Sequence, residues 1–153
     1  MRCQALTGRS VTVKLADRGD WDMKWIVAYI AAGVSFGALD ALWLGWAGKN
    51  LYRPALGELL APSFRPAPAI AFYLLYIAAL VWFAVRAGHE GGIGTAALNG
   101  ALLGAICYAT YDLTNQATMK VWPVHITLID IAWGAFASAV AAAVGCWAAS
   151  RFG

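Results

Sequence analysis

Three aspartates, Asp40, Asp112 and Asp130, each lie inside a run of Ala, Leu, Ile, Val and Gly that looks destined for lipid. A charged carboxylate near the middle of a membrane helix costs about 2.5–3.5 kcal/mol on insertion scales, so three of them are not expected on lipid-facing surface without compensation. They should face one another. Donors stand close in sequence: LDALW and IDIAW each place a tryptophan three residues after the acid, so Asp40 with Trp43 and Asp130 with Trp133 share a helix face, an indole N–H beside a carboxyl. YATYDLTNQATMK sets Tyr108, Tyr111 and Asn115 around Asp112, FYLLY supplies Tyr73 and Tyr76, and NLYRP supplies Tyr52 and Arg53.

Paired carboxylates out of water can work as acid and base, and Asp112 with Asp130 is the natural couple. Three acids and Asn115 could also hold Mg²⁺ or Mn²⁺ through oxygen. Nothing in their spacing demands it, and no metal site is expected. With His89 and His125 the only histidines, and with no HExxH, GxSxG or P-loop, zinc and serine-hydrolase chemistry are poor fits. The same residue types can instead glue a bundle through interhelical hydrogen bonds worth about 0.6 kcal/mol each. Cations at Arg53, Lys120 and His125 stand beside this polar set.

The elements that must position these groups follow from composition. Of 153 residues, 61% are apolar and 12% charged, with a mean hydropathy of +0.64, which fits a bilayer and not a water-soluble fold. A net charge of +3 without a basic patch gives no nucleic-acid footprint. A hydrocarbon core of about 30 Å takes about 20 apolar residues per helix. Four stretches qualify, at about 24–47, 68–87, 94–119 and 123–149, so the fold class is all-α, an integral-membrane four-helix bundle. Trp25, Trp46, Trp82, Trp122 and Trp147 mark the ends as interfacial anchors. The segment Gly48–Ala69 holds four of the five prolines among leucines and reads either as a short amphipathic piece lying in the interface or as a linker. GHEGGIG reads as a flexible turn with His89 and Glu90 solvated.

At 1.5 Å of rise per residue, all three aspartates sit about 10–12 Å from one membrane face, and the second span brings Tyr73 and Tyr76 to the same level. Gly100, Gly104, Tyr108, Asp112, Asn115 and Met119 form one stripe that contains a GxxxG contact motif. Gly33, Gly37, Asp40 and Leu44 repeat the device in the first span, and Asp130, Gly134 and Ser138 in the fourth.

Residues 1–22 lack apolar periodicity and read as a disordered tail. Met23-Lys24 before the apolar run also reads as a native start, which would make the tail a gene-model extension. With the tail counted, the termini side carries Arg2, Arg9, Lys14, Arg18, Lys24, Arg86 and Arg151 against Lys49, Arg53, Arg65 and Lys120, which places both termini in the cytoplasm. Without it, the bias disappears. Cys107 and Cys146 in apolar runs and Cys3 in the tail read as unpaired.

LDALWLG, the Tyr-Arg of NLYRPALGELL, FYLLY, YATYDLTNQATMK, WP and LIDIAWG, in this order, resemble the bacterial family known as domain of unknown function 2177, small inner-membrane proteins expected to have four helices. The resemblance covers about residues 24–149 and offers no reaction. It implies that Asp40, Trp43, Tyr52, Tyr73, Tyr76, Tyr108, Tyr111, Asp112, Asn115, Thr118, Asp130 and Trp133 are motif positions. A weaker similarity, to intramembrane aspartyl proteases, fails at the second acid, where LIDIAWG stands in place of GxGD.

The sequence therefore points to a multi-pass inner-membrane protein. Its polar pocket is expected to bind a lipid or other hydrophobic metabolite, with aromatic walls, acids inside and Arg53, Arg65 and Lys120 at the rim. Two alternatives stay open. One is a proton-coupled transporter, which with four helices would act as a homodimer; the other is an accessory or assembly subunit whose polar layer sets helix register. No cofactor is indicated, and the motifs do not decide whether the chain catalyses, transports or only binds.

Overall fold

Apolar segments long enough to cross a bilayer must satisfy every backbone N–H and C=O internally, and for an open chain this leaves helices. A computed structural model describes the backbone of residues 9–152 and the side chains of 23–57 and 59–152, and among these residues the regular structure is entirely helical. Helix α1 (Arg9–Ala47) continues without a break through a π-helical turn, Gly48–Tyr52, into α2 (Arg53–Leu56) and a 3-10 turn, Gly57–Leu59. Helix α3 (Pro66–Leu80) passes through a second π-helical turn, Val81–Val85, into α4 (Arg86–Gly91). Helices α5 (Ile93–Thr118) and α6 (Val124–Ala149) complete the chain. Four runs are long and apolar enough to span a membrane: Met23–Leu56, Pro66–Gly91, Ile93–Thr118 and Val124–Ala149.

Three boundaries differ from the sequence expectation. The first span runs on past 47, because the chain stays helical through Tyr52 and Arg53 and leaves helical dihedrals only at Leu56, and this brings Tyr52 and Arg53 onto the end of a helix and out of the expected loop. The second starts at Pro66, since proline is tolerated in a first turn that has no use for its missing N–H. The turn expected over 88–93 shrinks to Gly92, whose φ of +89° suits glycine, while its N–H bonds Gly88 O at 2.7 Å. His89 is not simply solvated: its Nε2 lies 3.1 Å from Lys24 Nζ and its ring meets Trp25 edge-on. Of the expected tail, residues 1–8 lie outside the described residues, and 9–22 are described only as helical backbone within α1.

Helix α6 is the axis of the bundle, packing on α1 along one side and α5 along the other. Small side chains make this possible. Ala28, Ala32, Ala137, Ala141, Ala142 and Ala149 are buried around Phe36, Leu80 and Val85. The α5–α6 contact is tightest. A methyl on Gly100 would come within 2.6 Å of Ser138 O and 2.7 Å of Ala142 Cβ, one on Gly104 would strike Gly134 O and Ser138 Oγ, and Gly134 lies under the Tyr108 ring. The small-residue face of α5 thus meets that of α6. The parallel expectation for the first span does not hold: Gly37 has nothing within 4 Å of where a Cβ would stand, and Gly33 meets only Ile77 at ordinary contact distance. Bulkier partners, Phe36 with Tyr73 and Tyr76, fill that side.

Outward, Ile26, Ile30, Val34, Leu42, Leu75 and Ile106 are exposed, an apolar perimeter far beyond what a water-soluble surface carries. Cations lie against anchor tryptophans at the termini end, Arg86 at 4.0 Å from the Trp82 ring centroid and Arg151 at 5.1 Å from that of Trp147. Cys107 and Cys146 are free thiols.

Candidate functional site

The two D-x-x-W motifs exchange partners. Because α1 and α6 run antiparallel, Asp40 stands level with Trp133 and Trp43 level with Asp130. Trp133 Nε1 donates to Asp40 Oδ1 at 3.3 Å, and the Tyr73 hydroxyl from α3 donates to the other oxygen of Asp40. On the reciprocal side, Trp43 Nε1 donates to the Tyr52 hydroxyl at 3.1 Å, and that hydroxyl in turn donates to Asp130 Oδ1. Between the two arrangements the indoles of Trp43 and Trp133 stack, centroids 4.5 Å apart and planes 9° from parallel. Neither indole bonds the aspartate of its own motif: Trp133 answers Asp40 directly, and Trp43 reaches Asp130 only through the Tyr52 hydroxyl.

A third polar contact extends the layer inward: the hydroxyls of Tyr76 and Ser138 lie 2.6 Å apart in the buried core. These groups come from the first, second and fourth spans, and interhelical hydrogen bonds thus join the three.

Asp112 is different. It is 0% exposed, and neither carboxyl oxygen has a hydrogen-bond partner among the described residues. Unmet polar groups in a protein interior cost about 1–3 kcal/mol each, more when charged, and an orphaned pair of acceptors calls for an explanation. Asp112 forms part of the wall of a cavity of about 380 Å³ together with Asp130, Tyr52, Tyr108, Tyr111, Arg53 and Trp122; Leu44, Gly48, Leu56 and Leu60 complete it. Trp122 Nε1 is also buried without a partner, and its ring meets Tyr111 edge-on at 5.7 Å. The walls are largely aromatic and aliphatic, and they carry two buried acids and one exposed guanidinium.

Of the residues singled out in the sequence, the cavity brings together Tyr52, Arg53, Tyr108, Tyr111, Asp112 and Asp130. It does not include Asp40, Trp43, Tyr73, Tyr76 or Trp133, which form the hydrogen-bonded layer beside it. The three acids therefore do not share one cavity: Asp40 is held by Tyr73 and Trp133. Asn115 is half-buried off the cavity wall, its Nδ2 without a partner, and Thr118 bonds back to Thr114 O at 2.7 Å. Arg65 lines a separate groove of about 620 Å³ that shares Arg53 and Leu60 with the cavity, while Lys120 and His125 are exposed and line neither. Trp122 was missed as a wall residue because its place before Pro123 reads as an interfacial anchor; its nearness to YATYD in sequence was the available signal. No group of three or more His, Cys, Asp or Glu placed to hold a metal ion occurs among the described residues.

A family model described as predicted membrane protein (DUF2177) matches residues 25–147, which covers all but two residues at the outer end of the first and fourth spans, the whole of the other two and every residue of the cavity. No curated protein and no solved structure matches the chain.

Proposed function

The chain belongs to the DUF2177 family of predicted membrane proteins, and from that premise we propose that its cavity binds an amphipathic ligand, a lipid or other hydrophobic metabolite. The observation that carries this reading is the orphaned carboxyl of Asp112 on the wall of a mostly apolar cavity. A ligand that donates a hydrogen bond there supplies what the protein withholds, and Tyr108, Tyr111, Leu44 and Leu56 cover its apolar part. Arg53 marks the end of the cavity nearest the interface. The Tyr73–Asp40–Trp133 and Trp43–Tyr52–Asp130 arrangements then act as the frame that fixes the register of α1 and α6, which is the structural share of the polar layer. The excess of Lys and Arg on the termini side supports an inner-membrane setting with both termini in the cytoplasm.

Gly48 gives a direct test. It stands on the cavity wall and a Cβ there would meet nothing within 4 Å, so Gly48→Phe brings a ring to the wall without a clash at its first carbon. Lipid extracted from the purified wild-type protein and counted by mass spectrometry is expected at near-stoichiometric levels and strongly reduced in Gly48→Phe. Equal lipid in the two proteins, with the variant folded, would overturn the reading.

A further inference from the structure

The cavity wall carries a mixed set of charges, and this narrows the class of ligand. Resting on the lipid-binding reading above, we propose that the cavity holds the head of an aminophospholipid, with its phosphate on Arg53 and its primary ammonium on Asp112. An anionic head alone would be drawn to Arg53 but would sit beside Asp112 and Asp130. A neutral head would leave Arg53 unused. A zwitterion answers both ends of the same cavity.

Each part of the head finds a matching group. A guanidinium presents a planar fork of donors that suits phosphate oxygens, and among the described residues Arg53 has no ion-pair or hydrogen-bond partner competing for it. A primary ammonium brings three donors and a full charge, and Asp112 offers two acceptors that no donor meets in full hydrogen-bond geometry, the Trp122 indole N–H standing near them. Asp130 is engaged by the Tyr52 hydroxyl through Oδ1 only, so its second oxygen stands on the same cavity as a further acceptor, and Asp112 is the acid with neither oxygen bonded. The rings of Tyr52, Tyr108, Tyr111 and Trp122 line the same space, and aromatic faces attract a cation that has left water. The primary amine is singled out over a quaternary one because a trimethylated nitrogen has no N–H and would leave both Asp112 oxygens as unmet as they are now. A glycerol head brings hydroxyls without the positive charge.

The test uses the full chain, purified in detergent, stripped of lipid, and offered an equimolar mixture of dioleoyl phosphatidylethanolamine, phosphatidylcholine, phosphatidylglycerol and diacylglycerol before native mass spectrometry. The expected result is a preference for phosphatidylethanolamine of about tenfold over the other two phospholipids, the size of one charge-assisted contact. Asp112→Asn, nearly isosteric, should bring phosphatidylethanolamine and phosphatidylglycerol level while phospholipid still binds. Arg53→Gln should lower every phospholipid against diacylglycerol. Tyr111→Leu, which removes one aromatic face from an exposed ring, should weaken the ethanolamine preference severalfold and serves as the independent variant. Equal or stronger retention of phosphatidylglycerol, phosphatidylcholine or diacylglycerol by the wild type, or a preference that survives Asp112→Asn, overturns the headgroup assignment and leaves the lipid pocket standing. Retention of no lipid at all by the wild type overturns the pocket and the assignment together.

Discussion

Gly104→Ala and Gly37→Ala are the same chemical change in two membrane helices, and the structure assigns them opposite effects. At Gly104 the added methyl strikes Gly134 O, a backbone atom of α6 that cannot turn aside, and Ser138 Oγ. Helices α5 and α6 must then separate, and displacing Ser138 Oγ also strains its 2.6 Å contact with Tyr76. Overpacking of this kind costs about 1–3 kcal/mol. At Gly37 nothing lies within 4 Å, so alanine there only gains helix propensity, about 0.5–1 kcal/mol. The two variants should therefore differ by about 1.5–4 kcal/mol, with Gly37→Ala at or above wild type and Gly104→Ala below it. Equilibrium unfolding in mixed micelles, followed by tryptophan fluorescence, measures the gap. A Gly104→Ala protein as stable as wild type, or a Gly37→Ala protein that loses as much, would refute the close α5–α6 approach on which the position of Asp112 depends.

Tyr73→Phe removes one of the two donors to Asp40 and leaves the 3.3 Å indole bond alone, so a loss of about 1–3 kcal/mol is expected in the same unfolding assay. Asp40→Asn in that background should cost less than it does in wild type, because the partner has already gone. Tyr76→Phe and Ser138→Ala combined should reveal a coupling of about 0.6 kcal/mol, the usual worth of a hydrogen bond between membrane helices; two fully additive effects would remove that contact from the frame. Trp43→Leu abolishes the ring stack and the bond to Tyr52, and far-ultraviolet circular dichroism should lose the exciton signal of two indoles 4.5 Å apart; an unchanged exciton band would count against the stacked pair.

The spans were legible because bilayer thickness fixes helix length, and the α5–α6 contact because Gly100, Gly104 and Gly134 leave room for nothing but backbone. Depth counting also put Asp40, Tyr73 and Asp130 at a common level, since rise per residue in a helix varies little. Pairing was harder. Helical periodicity says that Asp40 and Trp43 share a face, but the neighbour that answers each is set by the antiparallel register of α1 against α6, which no local pattern encodes. Tyr52 falls in a segment that four prolines among leucines mark as an interfacial piece or linker; a π-helical turn over Gly48–Tyr52 keeps the helix going, and Pro54 is accommodated in the first turn of α2. Such turns often occur at functional sites, and this one carries Tyr52 to Asp130. The glycines of α1 misled for the opposite reason, as a small residue permits close approach without requiring it: Phe36 and the tyrosines of α3 occupy that side.

The exchange between α1 and α6 spreads one small polar circuit over the whole length of translation. The ribosome delivers Asp40 and Trp43 some ninety residues ahead of Asp130 and Trp133. Until the last segment arrives, Trp43 lacks the parallel indole of Trp133, and Tyr52 lacks the carboxyl that accepts its hydrogen bond. A nascent chain halted after its third span thus displays unanswered polar groups to lipid, and only full synthesis hides them.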